Sequence, residues 1–285
     1  MSNVNKIQIR WPQHGEVISC SDGNKYTIGK KIGEGAFSIV YSCHDEWDND
    51  LAMKILKPNG KLFETVKASF EKEKETLLKF RHPAVTHIYN AFVCENLFYI
   101  ITERCAYTIG DLIVTKDFEA EGWIKPMAKS LLQALAEIHA AGYAHRDIHL
   151  GNVFTTILTN EYSPGNSAQV RRFKIGDLGI SRLVKDMPAA GTMAEWMRPP
   201  EVLFPEQFKP IDQRIDIYHL GLLFLQMIYK QQLLFTAEEV GIGKPSLMAA
   251  QCGSKYNMVL AKALNPDPAQ RYGSAFDFWY AMKDL

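Results

Sequence analysis

The eight residues HRDIHLGN, His145 to Asn152, hold an aspartate and an asparagine five positions apart in a run that also carries two histidines and a glycine. Asp147 can orient an attacking hydroxyl or accept its proton, and Asn152 offers an amide oxygen to a hard cation. Just ahead lies WIKPMAKSLLQALAEIHAAG, in which Ile124, Met127, Leu131, Leu135 and Ile138 recur at the spacing of one buried helix face and Gly142 acts as a stop. The neighbouring histidines, His139, His145 and His149, lack a cysteine partner and an HExxH pattern, which argues against zinc.

Working outward, the 285 residues are 47% apolar or aromatic, enough for one large domain or two modest ones. Acidic and basic residues number 32 each, so no overall electrostatic pull toward nucleic acid or an anionic membrane is expected. MSNVNKIQIRWPQ lacks the apolar run of a signal peptide, which makes the cytoplasm the expected location. The most apolar stretch, LGLLFLQMIY from Leu220 to Tyr229, is too short for a bilayer span and reads as a helix buried on all sides. Five irregularly spaced cysteines fit reduced thiols rather than a disulfide framework or a zinc site.

Residues 26–102 contain several β-rich runs interrupted by one charged segment from Leu62 to Arg81, which predicts a small sheet plus one helix. Residues 103–285 read mainly as helices. TILTNEYSPGNSAQVRR, Thr156 to Arg172, reads as an exposed turn between short strands, and residues 1–24 as either an added strand pair or a loose tail.

Four further features carry chemistry. GEGAFS, Gly33 to Ser38, is a glycine turn between two strands whose amides can approach phosphate, although a plain hairpin uses glycines too. Lys54 lies inside the apolar strand LAMKIL, where an ammonium group needs a partner. Glu73 falls on the inward stripe Phe63, Val66, Phe70, Leu77 and Phe80, so it needs a cation, and Lys54 is the obvious one. Asp177, in IGDLG, joins Asn152 as a second oxygen ligand for Mg²⁺. EWDND lacks the spacing of a calcium loop.

In this order, GEGAFSIV, AMK, an inward helix glutamate, HRD with Asn five on, and DLG resemble the signature set of the eukaryotic-type protein kinases. The resemblance covers roughly residues 26–280: WMRPPE (Trp196 to Glu201) is similar to the family's APE segment, DIYHLG (Asp216 to Gly221) to its central helix and DPAQR (Asp267 to Arg271) to its closing arginine. It implies an α+β, two-lobed fold: an N-terminal extension over 1–24, a lobe of antiparallel sheet with one helix over 25–102, a hinge at 103–106 and a larger, mainly helical lobe over 107–285. The expected activity is transfer of the γ-phosphoryl group of Mg-ATP to a protein hydroxyl on serine or threonine, in the cleft between the lobes. The cofactors implied are ATP and Mg²⁺, and the partners are ATP and a protein substrate, without nucleic acid or membrane.

Residue by residue, the resemblance makes Lys54 the holder of the α and β phosphates, paired with Glu73, and makes Asp147 the residue that orients the hydroxyl. Asn152 and Asp177 carry magnesium, and Glu201 and Arg271 form a structural ion pair. Ile32, Gly33, Glu34, Gly35, Ala36, Phe37 and Ser38 cover the nucleotide. Thr102 guards the back pocket, Glu103 and Cys105 offer backbone groups to adenine, and Val40, Ala52 and Phe154 sandwich the base.

Several residues depart from the family pattern. Ser38 replaces the third glycine. Ala194 stands where a threonine lies seven before the APE glutamate, with Thr192 two residues too early. His149 replaces the lysine usual in serine/threonine kinases, and small-molecule kinases of the aminoglycoside and choline type often carry histidine there, which keeps a small-molecule phosphotransferase as a rival reading. The activation-like segment from Asp177 to Glu201, the PPE box and the Asp216 and Arg271 framework favour a protein substrate. A nucleotide-binding pseudokinase scaffold is the third reading, against which Lys54, Glu73, Asp147, Asn152 and Asp177 are all present. Ser181 and Thr192 are the only hydroxyl side chains between Asp177 and Glu201, so the loop is expected to work without phosphorylation, with Arg146 meeting Asp186 or nothing. After Arg271 the sequence leaves room for one closing helix and no regulatory domain.

Overall fold

Strict alternation along DLAMKIL decides how the first half of the chain is built, because Leu51, Met53 and Ile55 turn to one face of a strand while Ala52 and Lys54 turn to the other. The computed structural model describes residues 10–20, 22–58, 60, 62–158, 170–179, 181–184 and 193–285. These divide into two units, Met1–Arg81 with Thr86–Arg104, and His82–Val85 with Cys105–Leu285.

The first unit is an antiparallel sheet of β1 (Val17–Ser19), β2 (Lys25–Glu34), β3 (Ser38–His44), β4 (Asp50–Leu56), β5 (Ile88–Cys94) and β6 (Leu97–Glu103), in the order β1-β2-β3-β4-β6-β5, with the helix α1 (Phe63–Lys79). One face gathers Ile28, Cys43, Met53, Ile55, Leu97, Tyr99 and Ile101 into a core. The sheet curls on this side. Tyr26 of β2 stacks on Phe92 of β5 (5.8 Å, 9°), Phe92 stacks on Tyr99 (5.0 Å, 6°), and the Asn90 amide donates to the Tyr26 hydroxyl. The stretch ahead of Lys25 supplies β1, which pairs with β2 and adds Ile18 and Cys20 to the same core. On the other face Phe98 meets Phe63 and Phe70 of α1.

The second unit contains β7 (Tyr107–Thr108), α2 (Ile109–Ile113), α3 (Ala120–Ala140), β8 (Tyr143–Ala144), β9 (Val153–Leu158), β10 (Val170–Ile175), β11 (Arg182–Leu183), α4 (Pro200–Leu203), α5 (Arg214–Tyr229), α6 (Ala237–Gly241), α7 (Lys244–Gln251), α8 (Asn257–Ala263) and α9 (Ala275–Met282). The buried face of α3 carries Ile124, Met127, Leu131, Leu135 and Ile138, and Gly142 follows it at φ 78°, a conformation that favours glycine. β9 and β10 form the expected strand pair, and residues 159–169 of the turn between them lie outside the described residues. In α5, residues 215–227 are all buried. A Cβ on Gly221 would come within 3.0 Å of the Ala263 Cβ, so glycine lets α8 approach α5 closely. No described helix is long and apolar enough to cross a membrane, and the five cysteines form no disulfide.

Two polar constructions brace this unit. Arg271 and Glu201, both with fully buried side chains, form the expected pair as a two-pronged fork, each prong 2.7 Å. The remaining guanidinium hydrogens reach the carbonyls of Asn265 (2.7 Å), Arg214 and Pro266, and the guanidinium packs over the Tyr218 ring at 4.7 Å. Removing one member would strand a buried charge. Arg271→Met is therefore expected to lower unfolding free energy by about 3–5 kcal/mol, and the double change with Glu201→Met to recover most of it, read from urea unfolding.

His219 is also fully buried in α5, hydrogen-bonded through Nε2 to the Met197 carbonyl at 2.9 Å. Burial pushes its pKa from 6.5 down to about 4, against the smaller opposing pull of Asp216. Between those two values the unfolded chain binds the proton and the folded one does not, so this contribution to stability is complete above 6.5 and is lost as pH falls toward 4. The urea midpoint should be lower at about pH 5 than at about pH 7.5, and His219→Gln, which keeps a donor for Met197, should shrink that difference.

Candidate active site

In the first unit, alternation forces a lysine onto the α1 side of β4. Lys54 Nζ lies 2.6 Å from Glu73 Oε1, with 15% and 6% of the two side chains exposed. Glu73 shares the buried stripe of α1 with Val66, Phe70 and Leu77, so helical spacing aims the carboxylate inward and the lysine answers it. The glycine turn joins β2 to β3, and the Gly35 amide donates to the Ser38 carbonyl (2.9 Å). Ile32, Glu34, Gly35, Ala36 and Phe37 are exposed, Gly33 is half-buried and Ser38 is buried. Lys57 fastens this tip: its amide donates to the Phe37 carbonyl (2.8 Å), and its ammonium to the Gly35 carbonyl (2.9 Å) and Glu34 Oε1 (2.5 Å). Hydrogen bonds from Lys31 and Lys57 hold the Glu34 carboxyl down to about 2. Val40 stands opposite Lys54 in the sheet register, and Ala52 opposite Thr102. The Glu103 carboxylate accepts from the His87 amide (2.6 Å).

In the second unit the loop is suspended from the centre of α5. Asp216, wholly buried, accepts from the backbone amides of His145 and Arg146, both at 2.8 Å, and meets His139 Nε2 at 2.8 Å. Burial works against ionisation here, but the His139 hydrogen bond and the nearby histidines and amide hold the carboxyl at about 2. This grip supports Arg146 at φ 72°, a left-handed conformation unusual for a residue with a side chain. His145 Nδ1 accepts from the Asp147 amide (3.2 Å), so its proton resides on Nε2, which donates to the Gly176 carbonyl (3.1 Å). The Gly176 amide in turn donates to the Asn152 carbonyl (2.9 Å), which ties the DLG turn to the loop.

The side chains that follow are placed by this frame. Asn152 Nδ2 donates to Asp147 Oδ2 (2.8 Å) and to the Asp147 carbonyl (3.1 Å), which fixes the amide and directs Asn152 Oδ1 away from the aspartate. Asp177 has φ 56° and accepts the Gly179 amide (3.2 Å). Among the described residues no cluster of three or more His, Cys, Asp or Glu side chains could hold a metal. The donor set still suits Mg²⁺, which needs only one or two protein oxygens beside phosphate and water. Asn152 and Asp177 would hold it.

His149 departs from a lysine in charge as well as shape. Its Nδ1 accepts from the Gly151 amide (3.0 Å), its ring packs edge-on against Trp196 (5.5 Å), and its Nε2 is 3.8 Å from Asp147 Oδ1. Burial, helped by His145 and opposed by Asp177, pushes its pKa down to about 4. At neutral pH it presents an N–H and no charge.

Two groupings expected from sequence are therefore present, Lys54 with Glu73 and Asp147 with Asn152, and Asp177 is linked to the second through backbone. Ile32 to Ser38, Val40, Ala52, Thr102 and Glu103 belong to the first unit, and Cys105 and Phe154, both half-buried, to the second. Ser181 is buried, with its hydroxyl 3.3 Å from the His145 carbonyl. Thr192 and Asp186 lie outside the described residues, as does any contact between Asp186 and Arg146. Sequence reasoning missed Lys57, whose only signal is a cation closing an apolar strand beside a glycine turn, and Trp196 as the support of His149.

The model of the protein kinase domain matches residues 26–277. Serine/threonine-protein kinase TAO2 of Xenopus laevis is 26% identical over 237 residues, covering 82% of this chain and 22% of that protein. A protein named as a probable serine/threonine-protein kinase of Streptomyces coelicolor is 27% identical over 271 residues, covering 89% of this chain and 38% of its own length. The chain thus spans well under half of these relatives. A double mutant of the Mycobacterium tuberculosis PknI kinase domain shares the fold, with a TM-score of 0.70 at 20% identity over 96% of this chain and 99% of that one. With the family's model running through the glycine turn, the Lys54 and Glu73 pair, the suspended Asp147 loop and the Glu201 and Arg271 fork, the chain belongs to the protein kinase domain family.

Proposed function

We propose that the chain is a serine/threonine protein kinase that transfers the γ-phosphoryl group of Mg-ATP to a hydroxyl of a protein substrate. The observation that carries this reading is Asp147, held beside Asn152 at 2.8 Å on a loop whose backbone is fixed by the buried Asp216. A carboxylate placed this way accepts a hydrogen bond from the substrate hydroxyl and takes its proton as the oxygen attacks the γ-phosphorus. The new oxygen–phosphorus bond forms while the bond to the β–γ bridging oxygen breaks, and ADP leaves with that electron pair. Lys54, paired with Glu73 at 2.6 Å, neutralises the α and β phosphates, and the glycine turn covers them. Bound magnesium supplies charge neutralisation on the phosphates.

Support for a protein acceptor comes from the serine/threonine kinase relatives and from the braced segment running through Trp196 to Glu201. His149 differs from the usual lysine in offering a neutral N–H beside Asp147, so the transferring phosphoryl group gains a hydrogen bond there and no cation.

Labelled phosphate from ATP should pass to generic protein substrates and, on hydrolysis, appear on serine or threonine; transfer to aminoglycoside or choline acceptors alone would overturn the reading. Asp147→Asn is expected to lower kcat by about 10²–10⁴-fold with little change in nucleotide affinity, because its role lies at the hydroxyl. Since Ser181 is buried, phosphatase treatment before the assay should leave the peptide rate within about twofold, read by the same label transfer.

A further inference from the structure

The glycine turn of the first unit is weakly held by its own two strands. The register of β2 on β3 shifts between Ile28 and Lys31 and again between Lys31 and Gly33, and its last pair is Glu34 with Ile39. Beyond that pair the Gly35 amide reaches the Ser38 carbonyl (2.9 Å). A Cβ on Gly35 would meet nothing within 4 Å, and one on Gly33 would lie at ordinary contact distance from Val40. These glycines leave open space rather than relieve a clash, and the backbone freedom they bring raises the cost of ordering the turn when a ligand binds.

Order is restored from β4. Lys57 directly follows the last residue of that strand, and it reaches the turn at three points: the Phe37 carbonyl through its amide (2.8 Å), and the Gly35 carbonyl (2.9 Å) and Glu34 Oε1 (2.5 Å) through its ammonium. The other Glu34 oxygen accepts from Lys31 of β2, so one carboxylate joins the turn both to its own strand and to the end of β4. With its pKa held at about 2 by these two lysines, Glu34 stays ionised through the neutral range. The Lys57 side chain is 17% exposed and that of Glu34 42%. An ion pair this open contributes little to folding, so its effect falls on where the turn sits rather than on whether the unit folds.

We infer that Lys57 is a positioning residue for the nucleotide: acting through Glu34 and the Gly35 carbonyl, it holds the glycine turn in the arrangement that receives the phosphates. The inference rests on the kinase reading, in which that turn covers the phosphates of ATP. A polyphosphate then meets a turn that is already ordered, and binding forgoes much of the ordering cost. Lys54, three residues earlier, meets the phosphates directly, whereas Lys57 acts only through the turn.

The test titrates the native chain and its variants with Mg-ATP, Mg-ADP and adenosine by calorimetry, beside the label-transfer assay. Lys57→Met should weaken ATP and ADP by about five- to tenfold and leave adenosine within about twofold, because only the phosphates meet the turn. Lys57→Arg, which keeps a cation with donors for both the carboxylate and the carbonyl, should recover most of that loss. Should Lys57→Met fail to fold, Glu34→Ala carries the test, since it removes the carboxylate from the exposed turn, and it should weaken ATP by about two- to fivefold without weakening adenosine. ATP affinity unchanged in the variants that fold, an equal loss for adenosine, or no recovery in Lys57→Arg overturns the inference while leaving the kinase reading in place. A native chain that binds ATP and labels no protein overturns the kinase reading and not the positioning role, and a native chain that binds no ATP overturns both.

Discussion

A single carboxylate in the middle of a hydrophobic helix determines the path of the loop that carries Asp147 and Asn152. Asp216 is surrounded along α5 by Ile215, Ile217, Leu220 and Leu223, an environment that by itself would protonate it or exclude it. It stays ionised because His139 and the amides of His145 and Arg146 converge on its two oxygens. The amides are the important part. A carboxylate that accepts two consecutive backbone N–H groups dictates the path of the chain there, including the left-handed Arg146. Asp147 is the next residue, so its position follows from a bond two residues back, and Asn152 and the Gly176 turn are then tied to it.

The two lysine- or arginine-glutamate pairs differ in how completely they are buried. Arg271 and Glu201 are sealed, and the guanidinium is shared among a carboxylate, three carbonyls and an aromatic face, so nothing remains with which to meet a ligand. Lys54 keeps 15% of its side chain exposed while Glu73 lies deeper at 6%. The carboxylate lies inside and the ammonium nearer the surface of the unit. Lys57 has a third role, since its ammonium is spent on the glycine turn and shapes the tip.

How far the sequence alone discloses this arrangement depends on whether a constraint is local. The Asp147 and Asn152 spacing, the helical position of Glu73 and the alternation that turns Lys54 away from Met53 and Ile55 are all set within one element, and each could be read directly. Arg271 and Glu201 are 70 residues apart, and only the resemblance to kinases paired them. Contacts between distant elements with no motif were not legible. The curl that brings Tyr26 onto Phe92 joins strands far apart in the sheet order, and the Trp196 support of His149 depends on a loop docking that no periodicity encodes. His219 looked like any residue of an apolar helix, and its bond to Met197 comes from the same docking.

That docking also explains why a histidine is tolerated two residues after Asp147. A lysine there would extend a flexible cation, whereas His149 is pinned by the Gly151 amide on one side and Trp196 on the other, with its remaining N–H toward Asp147. Pinning fixes direction and burial removes charge, so the residue trades Coulombic reach for geometry. A histidine held in this way gives Asp147 a neighbour defined by shape and hydrogen bonding rather than by charge.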